Sequence, residues 1–191
     1  MPVKRIFIAI DISDEARRRA ADHIEKMGEL AKCVRVSWER PEKLHVTLKF
    51  LGNVEDELID RISDGVAAIA GRFAPFEMAV AETGVFPRGK QPRVLWLGIE
   101  NTDHSLREIA SQVDSRISRL GFEKEKRSFS PHLTIARIRE PQKAKRLAES
   151  HLQSRFGRVE FKVSELMVYE SVLKPTGSVY NVLSKHSLKA A

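Results

Sequence analysis

Leu44-His45-Val46-Thr47-Leu48-Lys49-Phe50-Leu51, closed by Gly52-Asn53, is the stretch on which the fold turns. Polar and apolar residues alternate along it, the period of a half-buried strand. Residues two apart share a strand face, so His45, Thr47 and Lys49 are expected on one side and Val46, Leu48 and Phe50 on the other, packed on helices. The pattern returns as Pro131-His132-Leu133-Thr134-Ile135-Ala136, at an offset of 132 − 45 = 87 residues, with Leu133 and Ile135 on the apolar face.

Outward from these two strands the element order also repeats. Arg5 to Asp11 reads as a strand, and Ser13-Asp14-Glu15 suits a helix start because the hydroxyl and carboxylates meet free backbone N–H groups. Ala16, Ala20, Ile24, Met27 and Ala31 then recur at helical spacing. Beyond Gly52, a second helix carries Leu58, Ile62, Val66, Ile69 and Phe73, followed by a strand-rich stretch from Phe76 to Phe86. The series restarts with an apolar run from Val94 to Glu100. A helix through Leu106, Ile109, Val113, Ile117 and Leu120 is stopped by Gly121, and the His132 strand follows. A helix through Ala144, Leu147, Ala148 and Leu152, a β-rich stretch from Val159 to Leu173 and a last strand near Val179 to Leu183 complete it. Setting Phe7 against Trp96, an offset of 96 − 7 = 89, also aligns Ile10 with Ile99 and Asp11 with Glu100. The expectation is a single domain over 1–191, built from an internal repeat of roughly 1–90 and 91–191 about an approximate twofold axis, with strand exchange between the lobes allowed.

Each copy would then offer an imidazole and a hydroxyl to one cleft. In-line displacement at phosphorus needs one group to take a proton from the attacking oxygen and another, opposite, to protonate the leaving oxygen. Histidine titrates near neutrality, so one ring can be neutral and the other charged at modest cost. Thr47 and Thr134 are placed to hydrogen-bond non-bridging phosphate oxygens. No Asp, Glu or Cys sits at ligand spacing beside either motif, so neither a metal nor a cofactor is expected. His23, His104, His151 and His186 lack the motif and read as helix-surface or tail residues.

Composition sets the context. Lys and Arg number 33 against 26 Asp and Glu, a net charge of +7 spread along the chain, which fits a polyanionic partner. The single cysteine, Cys33, excludes an intrachain disulfide and a Cys-based zinc site. Ile6 to Ile10 is too short and too closely followed by acid to read as a secretory signal, and no apolar run has the length of a membrane span. The expected setting is the cytoplasm, with no membrane partner.

At these residues the chain resembles the two-histidine (2H) phosphoesterases, in particular the RNA 2′,3′-cyclic phosphodiesterases also called 2′-5′ RNA ligases. Arg5-Ile6-Phe7-Ile8-Ala9-Ile10, Leu44 to Gly52, Arg93-Val94-Leu95-Trp96-Leu97-Gly98 and Phe129-Ser130-Pro131-His132-Leu133-Thr134-Ile135-Ala136-Arg137 carry the resemblance. It implies an α+β fold, bilobal, with two antiparallel sheets facing a central cleft and helices on the outer faces. It further implies metal-independent hydrolysis of RNA 2′,3′-cyclic phosphate ends to 2′-phosphomonoesters, with reversible 2′-5′ joining of tRNA halves in some members, by a chain expected to act as a monomer. In that pattern His45 is the proton donor and His132 the proton acceptor, an order the near-symmetric motifs leave open. Candidate substrate contacts are Lys49, Arg93, Phe129 and Arg137. Strand alternation puts Arg137 on the face away from His132 unless the strand bulges. Phe86 and Trp96 are further stacking candidates, with burial favoured for Trp96, and the loop from Phe86 to Arg93, with Arg88 and Lys90, is a candidate backbone contact. Two rivals stand beside this reading: a non-catalytic RNA-end-binding module, and a 2H enzyme acting on a small cyclic phosphate or a 2′-5′ oligonucleotide.

Overall fold

The strand expected around His45 forms, but its neighbours are decided by the rest of the chain. The computed structural model describes residues 2–89, 91–175 and 177–189. In order, these form β1 (Val3–Asp11), α1 (Asp14–Leu30), β2 (Val36–Trp38), β3 (His45–Glu55), α2 (Asp56–Ala70), β4 (Phe76–Phe86) and β5 (Val94–Glu100). There follow α3 (Ser105–Ser118), β6 (His132–Ile138), α4 (Lys145–Gln153), β7 (Val159–Val163), β8 (Glu165–Lys174) and β9 (Gly177–Ser187). Short 3-10 turns at Pro41–Lys43 and Pro141–Lys143 each begin on a proline, whose fixed φ suits the first position of a helical turn.

The strands form two antiparallel sheets, in the orders β3-β1-β8-β9 and β2-β6-β5-β4-β7. The class is therefore α+β with two antiparallel sheets, as the resemblance implies. Strands cross between sequence halves: β8 and β9 complete the sheet of β1 and β3, while β2 and β4 enter the sheet of β5 and β6. The β2 strand is three residues long and carries no periodicity by which sequence could find it. The last strand runs well past Leu183 because its pairing with β8 continues to Glu165↔Ser187.

Alternation in β1 divides the molecule. Ile6, Ile8 and Ile10 are buried in the main core with the inner faces of the helices, among them Ala20, Ile62, Ile109 and Leu147. Each such aliphatic chain removed from water contributes about 1.5–3 kcal/mol. Phe7 and Ala9 point the other way and form a small separate cluster with Met167 and Tyr169, against which Tyr180 packs. Ser13 caps α1 as expected, its Oγ accepting the Ala16 N–H at 3.2 Å.

The ladders correct one alignment. In β1–β3, Asp11 faces His45 and Ala9 faces Thr47; in β5–β6, Gly98 faces His132 and Trp96 faces Thr134. The offset between matching ladder positions is 98 − 11 = 87, so Ala9 rather than Phe7 is the counterpart of Trp96. Both ladders carry irregularities, in β1–β3 at Ile6/Phe7 and Ile8/Ala9 and in β5–β6 at Leu95/Trp96. Apolar pattern alone does not reveal such bulges.

Two histidines expected on helix surfaces are interior. His151 is fully buried and His23 nearly so, their Nδ1 and Nε2 atoms 3.0 Å apart. His151 Nε2 lies 3.1 Å from both the Gly84 and the Trp96 carbonyl oxygens, so it carries the hydrogen and His151 Nδ1 accepts from His23. His186, in β9, bonds Ser184 and Ser63, and His104 is exposed at the start of α3.

Candidate active site

Both motifs open onto one cleft of about 1110 Å³. His45 and Thr47 line it from one sheet, His132 and Thr134 from the other. The two histidines are held alike. His45 Nδ1 lies 2.7 Å from the Lys43 carbonyl and His132 Nδ1 lies 2.8 Å from the Ser130 carbonyl, in each case two residues back. A carbonyl oxygen only accepts, so each Nδ1 carries a hydrogen and each Nε2 is left for chemistry. His45 Nε2 stands 3.0 Å from Thr47 Oγ1, which ties the imidazole to the hydroxyl of its own motif.

Aromatic rings fix both imidazoles. Phe7 stacks on His45 at 4.7 Å between centroids, and Tyr180 meets it edge-on at 5.4 Å. Phe86 meets His132 edge-on at 5.1 Å, with Trp96 tilted at 6.3 Å. Burial lowers the pKa of His45; the Lys43 carbonyl and Asp11 oppose this, while Arg17 and His132 add to it. Arg17 also holds the segment leading into β3, its guanidinium 2.6 Å from Asp11 Oδ1 and 2.7 Å from the Pro41 carbonyl.

The bulges decide which further residues reach the cleft. Ile8 pairs with Lys49 and Ala9 with Thr47, so Leu48 is the extra residue and the alternation inverts after it. Lys49, expected on the His45 face as a phosphate contact, is instead buried, its Nζ 2.5 Å from Asp114 Oδ1 and 2.9 Å from the Glu123 carbonyl. Burial pushes the Asp114 carboxyl up, but the Lys49 and Glu125 hydrogen bonds outweigh it and hold the pKa below the ordinary value. Phe50, expected in the core, turns outward to line the cleft, with the Arg5 guanidinium 4.9 Å from its ring centre.

The same irregularity falls at Ile135 in β6, because Leu95 pairs with Ala136 and Trp96 with Thr134. It brings Arg137 onto the cleft side. Arg93 and Phe129 are not among the cleft-lining residues: Arg93 makes backbone bonds to Phe86 and Ile138, and Phe129 packs on the core. Lys90, of the Phe86–Arg93 loop, lies outside the described residues.

Sequence reasoning missed most of the lining. Arg5, Arg40, Lys43 and Arg139 join Arg137 there, against Glu39 as the one carboxylate among the described residues. Phe7, Tyr180 and Ser178 come from strands that carry no motif. For Phe7 the sequence signal is the alternation of β1, which puts it opposite Ile6 and Ile8; Tyr180 and Ser178, in β9, have none. Among the described residues, no group of three His, Cys, Asp or Glu side chains is placed to hold a metal ion, and no helix is long and apolar enough to cross a membrane.

Against known proteins, the family model for the 2′-5′ RNA ligase superfamily matches residues 14–174, which takes in both motifs. The chain belongs to the 2′-5′ RNA ligase superfamily. Within it, an RNA 2′,3′-cyclic phosphodiesterase of Thermotoga maritima is 36% identical over 180 residues, 94% of this chain and 92% of the relative. One from Methanocaldococcus jannaschii is 34% identical over 95% of this chain and 99% of its own. Among solved structures, TT0787 of Thermus thermophilus superposes with a TM-score of 0.78 at 27% identity, over 96% of this chain and 97% of that one. Apo Escherichia coli LigT does so with 0.77 at 26% identity, over the whole of both chains.

Proposed function

We propose that this superfamily member hydrolyses RNA 2′,3′-cyclic phosphate ends to 2′-phosphomonoesters, with His45 and His132 as its acid and base. The observation that carries the reading is the pair of imidazoles in one basic cleft, each with Nδ1 bonded to the backbone carbonyl two residues before it and Nε2 free of that bond. Relatives named as RNA 2′,3′-cyclic phosphodiesterases at 34–36% identity support it. In the forward direction water attacks phosphorus, His132 Nε2 takes its proton, the P–O3′ bond breaks and His45 Nε2 protonates O3′. The phosphate stays on O2′. Thr47 and Thr134 donate to the non-bridging oxygens, and Arg137 balances their charge.

His45 has to hold a proton although burial lowers its pKa in the free protein. An anionic phosphate bound beside it raises that pKa, so substrate prepares its own acid. With a 5′ ribose hydroxyl in place of water, the same pair joins two RNA ends 2′-5′, as tRNA halves would require: His132 takes the hydroxyl's proton, the P–O3′ bond breaks and His45 protonates O3′. The working form is a cytoplasmic monomer whose two halves are copies of one unit.

Product analysis on a 2′,3′-cyclic RNA end in excess chelator tests this. A 2′-phosphate from the wild type, and a rate about 10²–10⁴-fold lower after His45→Ala or His132→Ala, is expected. Binding without turnover would favour an end-binding module, and turnover of mononucleotides alone a small cyclic phosphate substrate.

A further inference from the structure

Behind the aromatic wall of His132 lies a second cavity, of about 820 Å³, which shares no lining residue with the cleft. It forms where β7 leaves β4. The two strands pair only from Phe76 to Val80, so from Ala81 the outer edge of β4 has no strand beside it, and α4 stands across the gap with Lys145, Glu149 and Leu152.

Trp96 makes the inner wall. Its indole lies flat over Gly84, where a Cβ would collide with Cζ2, Cη2 and Cε2, so the absence of a side chain there is what admits the ring. Its Nε1 is buried and has no hydrogen-bond partner among the described residues. The indole as a whole is half-buried and lines this cavity. The remaining groups are of a definite kind: carboxylates at Glu82 and Glu149, cations at Arg88 and Lys145, and apolar surface from Pro92, Ala148 and Leu152.

We propose that this cavity takes the base of the nucleotide immediately 5′ to the cyclic end. The inference deepens the function proposed above and rests on it. Trp96, Pro92 and Leu152 take the apolar faces of the base, the Glu82 or Glu149 carboxylate accepts from its amino or imino hydrogen, and Arg88 and Lys145 hold the connecting phosphate. The volume lies within the range of small-ligand sites. Position fits as well: Trp96 is 6.3 Å from His132 and Phe86 is 5.1 Å from it, so one layer of aromatic rings separates the cavity from the catalytic imidazole. A strand whose last nucleotide occupies the cleft brings its penultimate base to this wall.

The test compares three probes: 2′,3′-cyclic AMP, the dinucleotide ApA ending in a 2′,3′-cyclic phosphate, and that dinucleotide made abasic at its first position. For the wild type, the KM of the full dinucleotide is expected about tenfold below those of the other two. Lys145→Ala and Glu149→Ala, which touch only a weak exposed pair at 3.9 Å, should bring the dinucleotide KM to within about twofold of the mononucleotide value while leaving cyclic AMP kinetics unchanged. Equal KM values for the full and abasic dinucleotides, or variants that slow all probes alike, would overturn the proposal while leaving the parent reading in place. Failure of the wild type to hydrolyse any probe removes both.

Discussion

Phe50 and Arg137 hold the same position in two ladders: each stands five residues beyond its catalytic-motif histidine, and each faces the cleft because a bulge precedes it. One offers an apolar ring, half exposed and backed by Arg5; the other offers a guanidinium. For the function proposed above, this gives a near-symmetric site a direction, with a surface for a base on the His45 side and a cation for phosphate on the His132 side. Phe50→Ala is expected to raise KM about tenfold with little change in kcat, since stacking is a binding term. Arg137→Ala should lower kcat/KM about 100-fold, and Arg137→Lys should restore only part of it, because lysine lacks the planar fork. Steady-state kinetics on one cyclic-phosphate RNA end measures both.

The depressed pKa of His45 separates the two assignments of acid and base. In kcat/KM, which reports the free enzyme, the limb belonging to His45 lies below its ordinary 6.5. With His45 as acid this is the alkaline limb, and it moves to higher pH in kcat as bound phosphate raises the pKa. An acid limb below 6.5 in kcat/KM that disappears in His45→Ala would instead make His45 the base.

Lys49 is buried and bonded to Asp114, and it does not line the cleft. Its Nζ is bonded to Asp114 Oδ1 at 2.5 Å, with the lysine side chain buried and the aspartate about one-fifth exposed. Lys49→Met is expected to lower unfolding free energy by about 1–3 kcal/mol, less than for a wholly buried pair, while kcat/KM per folded molecule stays near wild type. The folded pKa of Asp114 is depressed, so its contribution is present above the ordinary carboxyl value and lost as pH falls through the folded one. Urea unfolding between pH 5 and pH 3 should show the wild type losing more stability than Asp114→Asn.

The His23–His151 pair makes stability fall over a different window. Burial, the His151 ring and Lys26 bring His23 down to about 4, and burial also lowers His151. Unfolded histidines take up protons near 6.5, before the folded pair does, so stability present above 6.5 is lost as pH drops toward 4. The thermal midpoint should therefore decrease from pH 7.5 to pH 5, and the slope should flatten in His23→Leu/His151→Leu.

Gly84→Ala reports on the wall behind His132. A methyl group there meets the Trp96 indole, which is rigid and already packed against Phe86 at 5.2 Å between centroids. Displacing it is expected to cost about 1–3 kcal/mol in stability and to lower kcat, with tryptophan fluorescence following the ring.

Chain order determined a good deal by itself. The two His-x-Thr alternations, the helical spacing of Ala16 to Ala31 and Leu106 to Ile117, and the Ser13 cap are local patterns, and local periodicity states which residues turn inward within one element. Pairing between elements is not local. The bulges at Leu48 and Ile135 exist only against β1 and β5, and they exchanged the expected places of Lys49 and Phe50 and brought Arg137 to the cleft. Tyr169 and Tyr180 reach His45 because β8 and β9 join a sheet begun more than 150 residues earlier. His23 and His151 are interior because α1 and α4 meet over the β4–β5 carbonyls. The sequence therefore determined the two histidine motifs proposed to react; only the tertiary structure decided what surrounds them, since a side chain's face depends on the register of the strand beside it.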